Sequence, residues 1–359
     1  MSVSAGVLGV GVVAAGPVAQ AIHLPTLARM SDRFDVVHVA DVNDAVGRAV
    51  SARANARFST EARALIDDPA VDVVVVGSPD RFHAEQAIAA CEAGKAAVLV
   101  EKPLALTTAD ARSVADASRR TGVPVIVGTM HGFDTAWVSA VREWDLHPEV
   151  PHSVRVSSVL PPNSWSEDFA TEITGRVPGT PAAPAGIDGE IAAVRGFVLG
   201  LAIHDLPLVR RLLPDGPVEV RSVDRLQPWG MEIVATVGAC LLELHGVVGV
   251  GWDPDWSLEA IATDKSLRMQ FPLSYVHAGS GTASLNDGER VLTFGPYADD
   301  GYLNEWEHVY DVITGQVAAP DLGVCSCDRR GRRRRVGRAR RRGDRPRGAS
   351  VAGRQPCCG

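Results

Sequence analysis

The chain has 359 residues, of which 46% are apolar, so it can bury a sizeable core, and its length favours two domains. The net charge of −7 has two unlike parts: residues 324–359 hold thirteen Arg, no Lys and two Asp, which leaves −18 on residues 1–323. A body this acidic argues against nucleic acid as a partner.

The cysteines and the first apolar stretch both predict a cytoplasmic protein. Four of the six Cys lie in the basic tail, and only Cys91 and Cys240 lie in the body, which argues for a reducing compartment. The uncharged stretch 3–22 lacks a basic start and is broken by glycines and a proline, as a strand and tight turn would be. We therefore expect neither a signal peptide nor membrane association.

The first 128 residues alternate apolar runs with helical patterns. The predicted strands are 9–13, 34–40, 71–76, 97–100 and 123–127, and the predicted helices are 18–30, 45–54, 61–66, 84–93 and 108–120. Valine-rich strands separated by helices indicate a parallel sheet covered on both faces. Residues 1–128 are thus predicted to form an α/β domain with a doubly wound parallel sheet.

The pattern changes after Gly128. The predicted strands are 153–159, 218–224, 231–237, 240–247, 257–263, 267–271 and 291–294, the last after a hairpin turn at 286–288, and the only strong helical pattern runs over 196–213. This predicts a second, α+β domain over 129–323 with a mostly antiparallel open sheet. The Pro/Gly-rich stretch 177–189 is expected to be a mobile loop near the domain junction.

A candidate cofactor turn is Ala14-Ala15-Gly16-Pro17-Val18-Ala19, between a strand and a helix, where backbone N–H groups can meet a pyrophosphate. Ala14 replaces the first Gly of G-x-G-x-x-G. A register that begins at Gly9 and Gly11 is the alternative, and a plain strand–helix connection fits as well. We prefer the later register, because it leaves 9–13 as the strand.

Asp41, at the end of the second strand, predicts a preference for NAD. A carboxylate there accepts hydrogen bonds from a ribose 2′-hydroxyl and repels a 2′-phosphate. It could instead only cap the next helix. Because Arg48 could receive a phosphate, NADP is not excluded.

The segment Val98-Leu99-Val100-Glu101-Lys102-Pro103 delivers a Lys at the carboxyl end of a buried strand, where ligands sit in open α/β sheets. Taken alone, an ordinary solvated turn is equally compatible.

Three motifs in order carry a resemblance to a known family. The chain resembles the Gfo/Idh/MocA oxidoreductases in Gly16-Pro17-Val18-Ala19 with His23-Leu24-Pro25, in Ser78-Pro79-Asp80-Arg81-Phe82-His83, and in Glu101-Lys102-Pro103-Leu104-Ala105. The resemblance implies a Rossmann domain that binds NAD(P) and a C-terminal open sheet that supports the substrate pocket and subunit contacts, giving a dimer or tetramer. The expected cofactor contacts are Ala14, Gly16, Pro17, Val18, Asp41, Ser78, Pro79, His83, Glu101 and Lys102.

The resemblance also implies catalytic roles for two residues. The Lys of the Glu-Lys-Pro motif orients the substrate hydroxyl and a His in the second domain exchanges its proton; these match Lys102 and His204. The chain departs from the family where an Asp is common, at Gly200 and Pro207, and Asp205 is a poor substitute, because adjacent helical side chains diverge. The basic pair common after the sixth strand is His131-Gly132 here. Candidate substrate residues are His131, Trp165, Asp168, Arg195 and His204, and no metal-ligand spacing is visible.

The predicted function is NAD-dependent transfer of a hydride between nicotinamide and a secondary hydroxyl or ketone of a sugar, cyclitol or related polyol. The alternative is an NAD(P)-binding sensor or assembly partner without dehydrogenase turnover, suggested by Gly200 and Pro207. The tail 324–359 is interpreted as a basic arm, as a disordered extension or, preferably, as the out-of-frame product of a G+C-rich gene after a frameshift near Gly323.

Overall fold

Six strands form a parallel sheet in the computed structural model, which describes residues 6–176, 186–249, 253–320 and 322. They are β1 (Leu8–Val13), β2 (Phe34–Ala40), β3 (Arg57–Ser59), β4 (Val73–Val76), β5 (Ala97–Glu101) and β6 (Val125–Gly128), in the order β3-β2-β1-β4-β5-β6. β1 and β4 are buried throughout, which explains their continuous apolar runs. The doubly wound parallel sheet is confirmed, with β3 added at its edge.

The helices of this half follow the sequence prediction closely. A π-helical turn, Ala19–His23, leads into α1 (Leu24–Arg29), and the others are α2 (Asp44–Arg53), α3 (Ala62–Ile66), α4 (His83–Glu92) and α5 (Thr108–Thr121). Side chains cap two of them: Asn43 accepts from Val46 N ahead of α2, and Thr107 accepts from Asp110 N ahead of α5.

The second half contains an eight-stranded, mostly antiparallel sheet, as predicted. Its strands are β7 (Ser153–Leu160), β8 (Val218–Leu226), β9 (Trp229–Val237), β10 (Cys240–Val248), β11 (Asp255–Ile261), β12 (Ser266–Gln270), β13 (Thr282–Asn286) and β14 (Val291–Phe294), in the order β14-β13-β12-β11-β7-β10-β9-β8. Only β7 and β10 pair in parallel. Burial alternates along the central strands, so one face packs on the core and the other is polar.

The expectation of one strong helix over 196–213 was wrong. The segment contains the end of α8 (Ile187–Gly200), a 3-10 turn Ala202–His204, and α9 (Leu206–Leu212). The axis bends by 70° between Ile187–His204 and α9. Pro207 lies in the first turn of α9, where proline starts a helix and cannot continue one. This half also contains α6 (Thr135–Trp144), α7 (Asn163–Ala170) and α10 (Gly301–Thr314).

Helix α10 packs against the parallel sheet, although it follows the second sheet in the chain. Trp306 is fully buried, and its ring lies edge-on to Phe34 with 5.1 Å between centroids. Leu303 and Val309 belong to the same buried cluster. The parallel sheet therefore takes part of its core from beyond residue 128, and the division at that residue stays a prediction.

Two predicted segments fall largely or wholly outside the described residues. Of the predicted loop 177–189, residues 177–185 lie outside, and α8 already begins at Ile187. The tail 324–359 lies outside as well. Within the described ranges no single helix is long and apolar enough to cross a membrane, and only the bent pair Ile187–His204 and Leu206–Leu212 reaches that length and composition together.

Candidate active site

The turn after β1 offers open backbone N–H groups. β1 ends at Val13, and Ala14 takes a left-handed conformation with φ 72°. A Cβ added to Gly16 would meet no atom within 4 Å, and no side chain caps the helical turn that follows. Helix N-termini left open in this way bind phosphate. Because Gly9 and Gly11 lie inside β1, the turn uses the later register.

Asp41 holds this turn from the end of β2. Its Oδ2 accepts from Ala15 N and its Oδ1 from Asn43 N, both at 2.8 Å. Each carboxylate oxygen keeps a second lone pair for a ribose hydroxyl. The open turn and this carboxylate together fit a dinucleotide. A carboxylate in this position is expected to favour NAD over NADP.

Replacing Asp41 tests that preference. We expect Asp41→Asn to raise the affinity for NADPH relative to NADH, because the amide keeps an acceptor for the ribose but no longer repels a 2′-phosphate. Fluorescence titration with both cofactors measures the ratio. Asp67→Asn, which removes an exposed carboxylate paired with Arg63, is the matched control. An Asp41→Asn ratio equal to that of the control contradicts the assignment.

Ser78 and Pro79 lie in the loop after β4, and His83, the first residue of α4, ties this loop to the segment after β5. His83 is buried, with Nδ1 2.7 Å from Pro103 O and Nε2 2.7 Å from Ser78 O. The Ser78 hydroxyl donates to Gln86 Oε1 at 2.7 Å. These contacts fix the shape of the loop at the carboxyl edge of the sheet.

Lys102 and His204 lie in the wall of one cavity of about 1400 Å³. Lys102 Nζ donates to Gly200 O at 3.0 Å, one helical turn before His204 in the chain. Burial lowers the pKa of Lys102, although the carboxylates of Glu101 and Asp80 oppose that shift. The open helical turn contributes Pro17 and Val18 to the same cavity, so all these groups face one space.

The His204 imidazole is held neutral by its surroundings. Its Nδ1 is buried and has no hydrogen-bond partner among the described residues. Burial, and then the positive charges of Lys102 and His131, set the pKa of His204 well below its ordinary value. A neutral ring in the cavity wall can accept a proton from a substrate hydroxyl.

A chain of hydrogen bonds fixes Glu101 beside Lys102. Trp306 Nε1 lies 3.3 Å from His23 Nδ1, and His23 Nε2 lies 3.0 Å from Glu101 Oε1. An indole N–H can only donate, so His23 Nδ1 accepts and Nε2 donates to the carboxylate. Burial alone would raise the pKa of Glu101, but the bond from His23 and the nearby charge of Lys102 bring it below its usual range.

Glu305 of α10 is a second buried carboxyl in the cavity wall, and the sequence analysis missed it. Its Oε1 accepts from Thr129 N at 2.8 Å. Burial, and then the charge of Glu101, raise the pKa of Glu305 well above its usual range. When two carboxyl groups interact in a buried site, one of them usually stays protonated.

Glu305 makes the stability depend on pH. Between its unfolded pKa and its higher folded pKa the native state binds more protons, so the free energy of unfolding falls as pH rises, by up to about 1.4 kcal/mol per pH unit. We expect Glu305→Gln to remove this slope and to be more stable than the wild type at pH 8. Denaturant unfolding at pH 5 and pH 8 measures it. Glu307→Gln, on the exposed side of α10, should keep the slope, and a wild-type slope in Glu305→Gln contradicts the explanation.

Four predicted substrate residues are absent from the described lining of this cavity. His131 is buried behind His204 and bound to Asp205. Asp168 is exposed and pairs with Arg176, Arg195 donates to Leu106 O at 3.3 Å, and Trp165 is half exposed. The structure places other residues of the same helices in the wall: Ser164 and Glu167 from α7, and Ala192, Ala193, Gly196 and Gly200 from α8.

Tyr275, Tyr302 and Arg176 also line the cavity, and sequence reasoning missed them. No motif marks them, because they reach the cavity from loops and helix ends distant in the chain. The described residues contain no group of three or more His, Cys, Asp or Glu that could hold a metal ion.

Comparison with known proteins gives matches over both halves. Residues 5–129 match a family model described as an oxidoreductase family with an NAD-binding Rossmann fold. Inositol 2-dehydrogenase 2 of Saccharopolyspora erythraea is 34% identical over 320 residues, which cover 85% of this chain and 83% of that protein. The 1,5-anhydro-D-fructose reductase of Ensifer adhaerens is 31% identical over 180 residues, 48% of this chain and 47% of that one.

Solved structures show the same fold at lower identity. A 3-ketoreductase from Actinomadura kijaniata, in complex with NADP and TDP-benzene, superposes with a TM-score of 0.67 at 17% identity, covering 86% of this chain and 90% of that one. Levoglucosan dehydrogenase in complex with NADH and levoglucosan superposes with a TM-score of 0.64 at 18% identity, covering 87% of this chain and 90% of that one.

Proposed function

The chain belongs to the Gfo/Idh/MocA oxidoreductase family, and we propose that it transfers a hydride between a nicotinamide cofactor and a secondary hydroxyl or ketone of a cyclitol or sugar. The observation that carries the proposal is the shared cavity: Lys102 and His204 line it together with the open turn at Pro17 and Val18. NAD(P) binding belongs to the family, and the carboxylate of Asp41 supports NAD as the preferred form.

The residues divide the reaction between them. A nicotinamide cofactor held at the turn after β1 and by Asp41 would supply the acceptor for the hydride of the substrate C–H bond. In the oxidation, His204 would take the proton of the substrate O–H bond, which leaves a ketone. The Lys102 ammonium stabilises the negative charge that develops on the substrate oxygen. Glu101, fixed by His23, holds a negative charge near Lys102 that favours its charged ammonium form.

A cyclitol is the substrate class that the comparisons support best, because the relative aligned over most of the chain is an inositol 2-dehydrogenase. Binding without turnover remains the rival, because Lys102 meets the Gly200 carbonyl where the family commonly has a carboxylate. The two functions differ in one measurable property, the change of nicotinamide absorbance.

The deciding experiment follows nicotinamide absorbance with the purified full chain. NAD and NADP are each tested against cyclitols, aldoses and nucleotide sugars, in both directions. We expect turnover with a cyclitol or sugar, and faster with NAD. Cofactor binding by fluorescence without a redox change on any substrate would favour the rival.

We also propose a homo-oligomer that forms through the outer face of the eight-stranded sheet. This face carries a polar concavity of about 700 Å³ with cross-strand ion pairs, Arg155 with Glu243 and Arg268 with Glu259. Light scattering after size exclusion should give a dimer or tetramer. Ser257→Arg, at the concavity, should dissociate it, whereas Ser113→Arg on the exposed side of α5 should not. If light scattering gives the same mass for Ser257→Arg and Ser113→Arg, the oligomer does not form through this face.

A cytoplasmic location is the last part of the proposal. Cys91 and Cys240, the cysteines among the described residues, are both free and buried. Burial raises the pKa of Cys91 to about 11, so its thiol is inert. Unpaired, unreactive thiols suit a reducing compartment.

A further inference from the structure

Asp205 is a completely buried carboxylate directly after His204 in the chain. Its Oδ1 lies 2.8 Å from His131 Nδ1, and its Oδ2 accepts from Trp256 Nε1 at 2.8 Å. Both carboxylate oxygens are thus engaged by aromatic rings from other parts of the chain. Asp205 is not among the described residues that line the cavity, so it does not meet the substrate.

The two rings that Asp205 binds surround the His204 imidazole. Trp256 lies edge-on to His204, with 5.5 Å between centroids and 86° between planes, and the centroid of His131 is 6.2 Å from that of His204. His131 is itself fixed, since it stacks on Phe271 at 3.8 Å with 9° between planes. Together these rings pack against His204, His131 from the protein interior and Trp256 from a position where it also lines the cavity.

This packing has a specific task, because no side-chain hydrogen bond among the described residues orients His204. A functional imidazole usually keeps its orientation and tautomer through a bond to its second nitrogen. Here Nδ1 has no such partner among the described residues, and His204 sits in a short 3-10 turn at the bend between α8 and α9. Packing against Trp256 and His131 is therefore what restricts the ring.

We propose that Asp205 is a positioning residue for His204: its carboxylate holds Trp256 and His131 against the imidazole, which keeps the other side of the ring toward the substrate. The role rests on the proposed function of His204 as the group that exchanges the substrate proton. The titratable groups that act electrostatically on His204 are Lys102, directly after β5, and His131, from the turn after β6.

Asp205→Asn in the full chain tests the role. An amide offers one acceptor oxygen where the carboxylate offers two. Trp256 can keep that oxygen, but His131 then keeps a bond only if its Nδ1 accepts from the amide NH₂, so the carboxylate's charged hold on that ring is lost. We expect kcat to fall about 10²-fold, as for a displacement near 1 Å at the reacting group, with KM and NADH affinity unchanged. Expressing kcat per NADH-binding site removes the effect of unfolded molecules.

Asp134→Asn is the matched control. Asp134 is also a buried carboxylate, but it caps α6 by accepting from Ala136 N and Trp137 N. The Asp134→Asn variant should be less stable than the wild type but should keep its kcat per NADH-binding site. Equal kcat per site in wild type and Asp205→Asn, or an equal fall in both Asn variants, would overturn the proposal. Should Asp205→Asn not fold, Trp256→Phe removes one of the two bonds, and unchanged kcat per site there overturns it.

A second readout separates this proposal from the proposed function. In ¹⁵N-histidine NMR spectra, His204 should give one set of ring signals in the wild type and several or broadened signals in Asp205→Asn. Identical His204 signals in both proteins would overturn the positioning role. If the wild type shows no redox activity on any substrate, the proposed function fails, while the NMR comparison still decides whether Asp205 orients the ring.

Discussion

Lys102→Met is expected to lower turnover by a factor of about 10²–10³ and to leave the fold and NADH binding intact. The ammonium is the cation that the structure places beside His204 in the cavity, and methionine keeps the length of the side chain without the charge. In the native chain Nζ donates to one carbonyl, Gly200 O, so it retains further N–H groups for a substrate oxygen. Steady-state turnover with NADH-binding stoichiometry measures the effect.

Lys95→Met provides the control for losing a buried lysine. Lys95 Nζ donates to Asp68 O and Val71 O, both at 2.8 Å, and does not line the cavity. We expect this variant to be less stable but to keep turnover per bound NADH. Wild-type turnover in Lys102→Met, or an equal loss in both variants, removes Lys102 from the mechanism.

The sequence predicts the parallel half well because its strands are buried on both faces. β1 and β4 show this as unbroken apolar runs, and two helices of this half, α2 and α5, carry ordinary caps at Asn43 and Thr107. β3 is missed because its three residues lie half exposed at the sheet edge. α10 was missed although its buried positions Leu303, Trp306 and Val309 recur at helical spacing; what local periodicity does not reveal is that this side packs against the distant first sheet.

The site is predictable where a motif fixes it and not where tertiary packing does. Lys102 and His204 follow from the resemblance to the family, and the structure places both in one cavity, although their roles stay predictions. The substrate residues required knowing which side of α7 faces inward. Ser164 and Glu167, three apart, face the cavity, whereas the neighbouring Trp165 and Asp168 do not line it.

His204→Gln should reduce turnover by about 10²–10⁴-fold, the usual contribution of a general base. Glutamine preserves much of the volume and a polar end but cannot take the substrate proton. NADH affinity should not change, because the expected phosphate contacts lie at the turn after β1. His38→Gln, which replaces another buried histidine hydrogen-bonded to Asp68 and Ser59, should keep turnover per bound NADH.

The pH profile ties this residue to Lys102. A base works in its neutral form, so on the acid side activity in the oxidation falls when pH drops below the pKa of His204. Because burial and the charge of Lys102 depress that pKa, the acid limb of kcat/KM should lie below pH 6.5, the ordinary histidine value. Removing the charge in Lys102→Met should raise the pKa of His204, which NMR titration of the imidazole can follow. An acid limb at or above pH 6.5 in the wild type, or an unmoved His204 titration in Lys102→Met, would mean that the two groups do not act on one substrate oxygen.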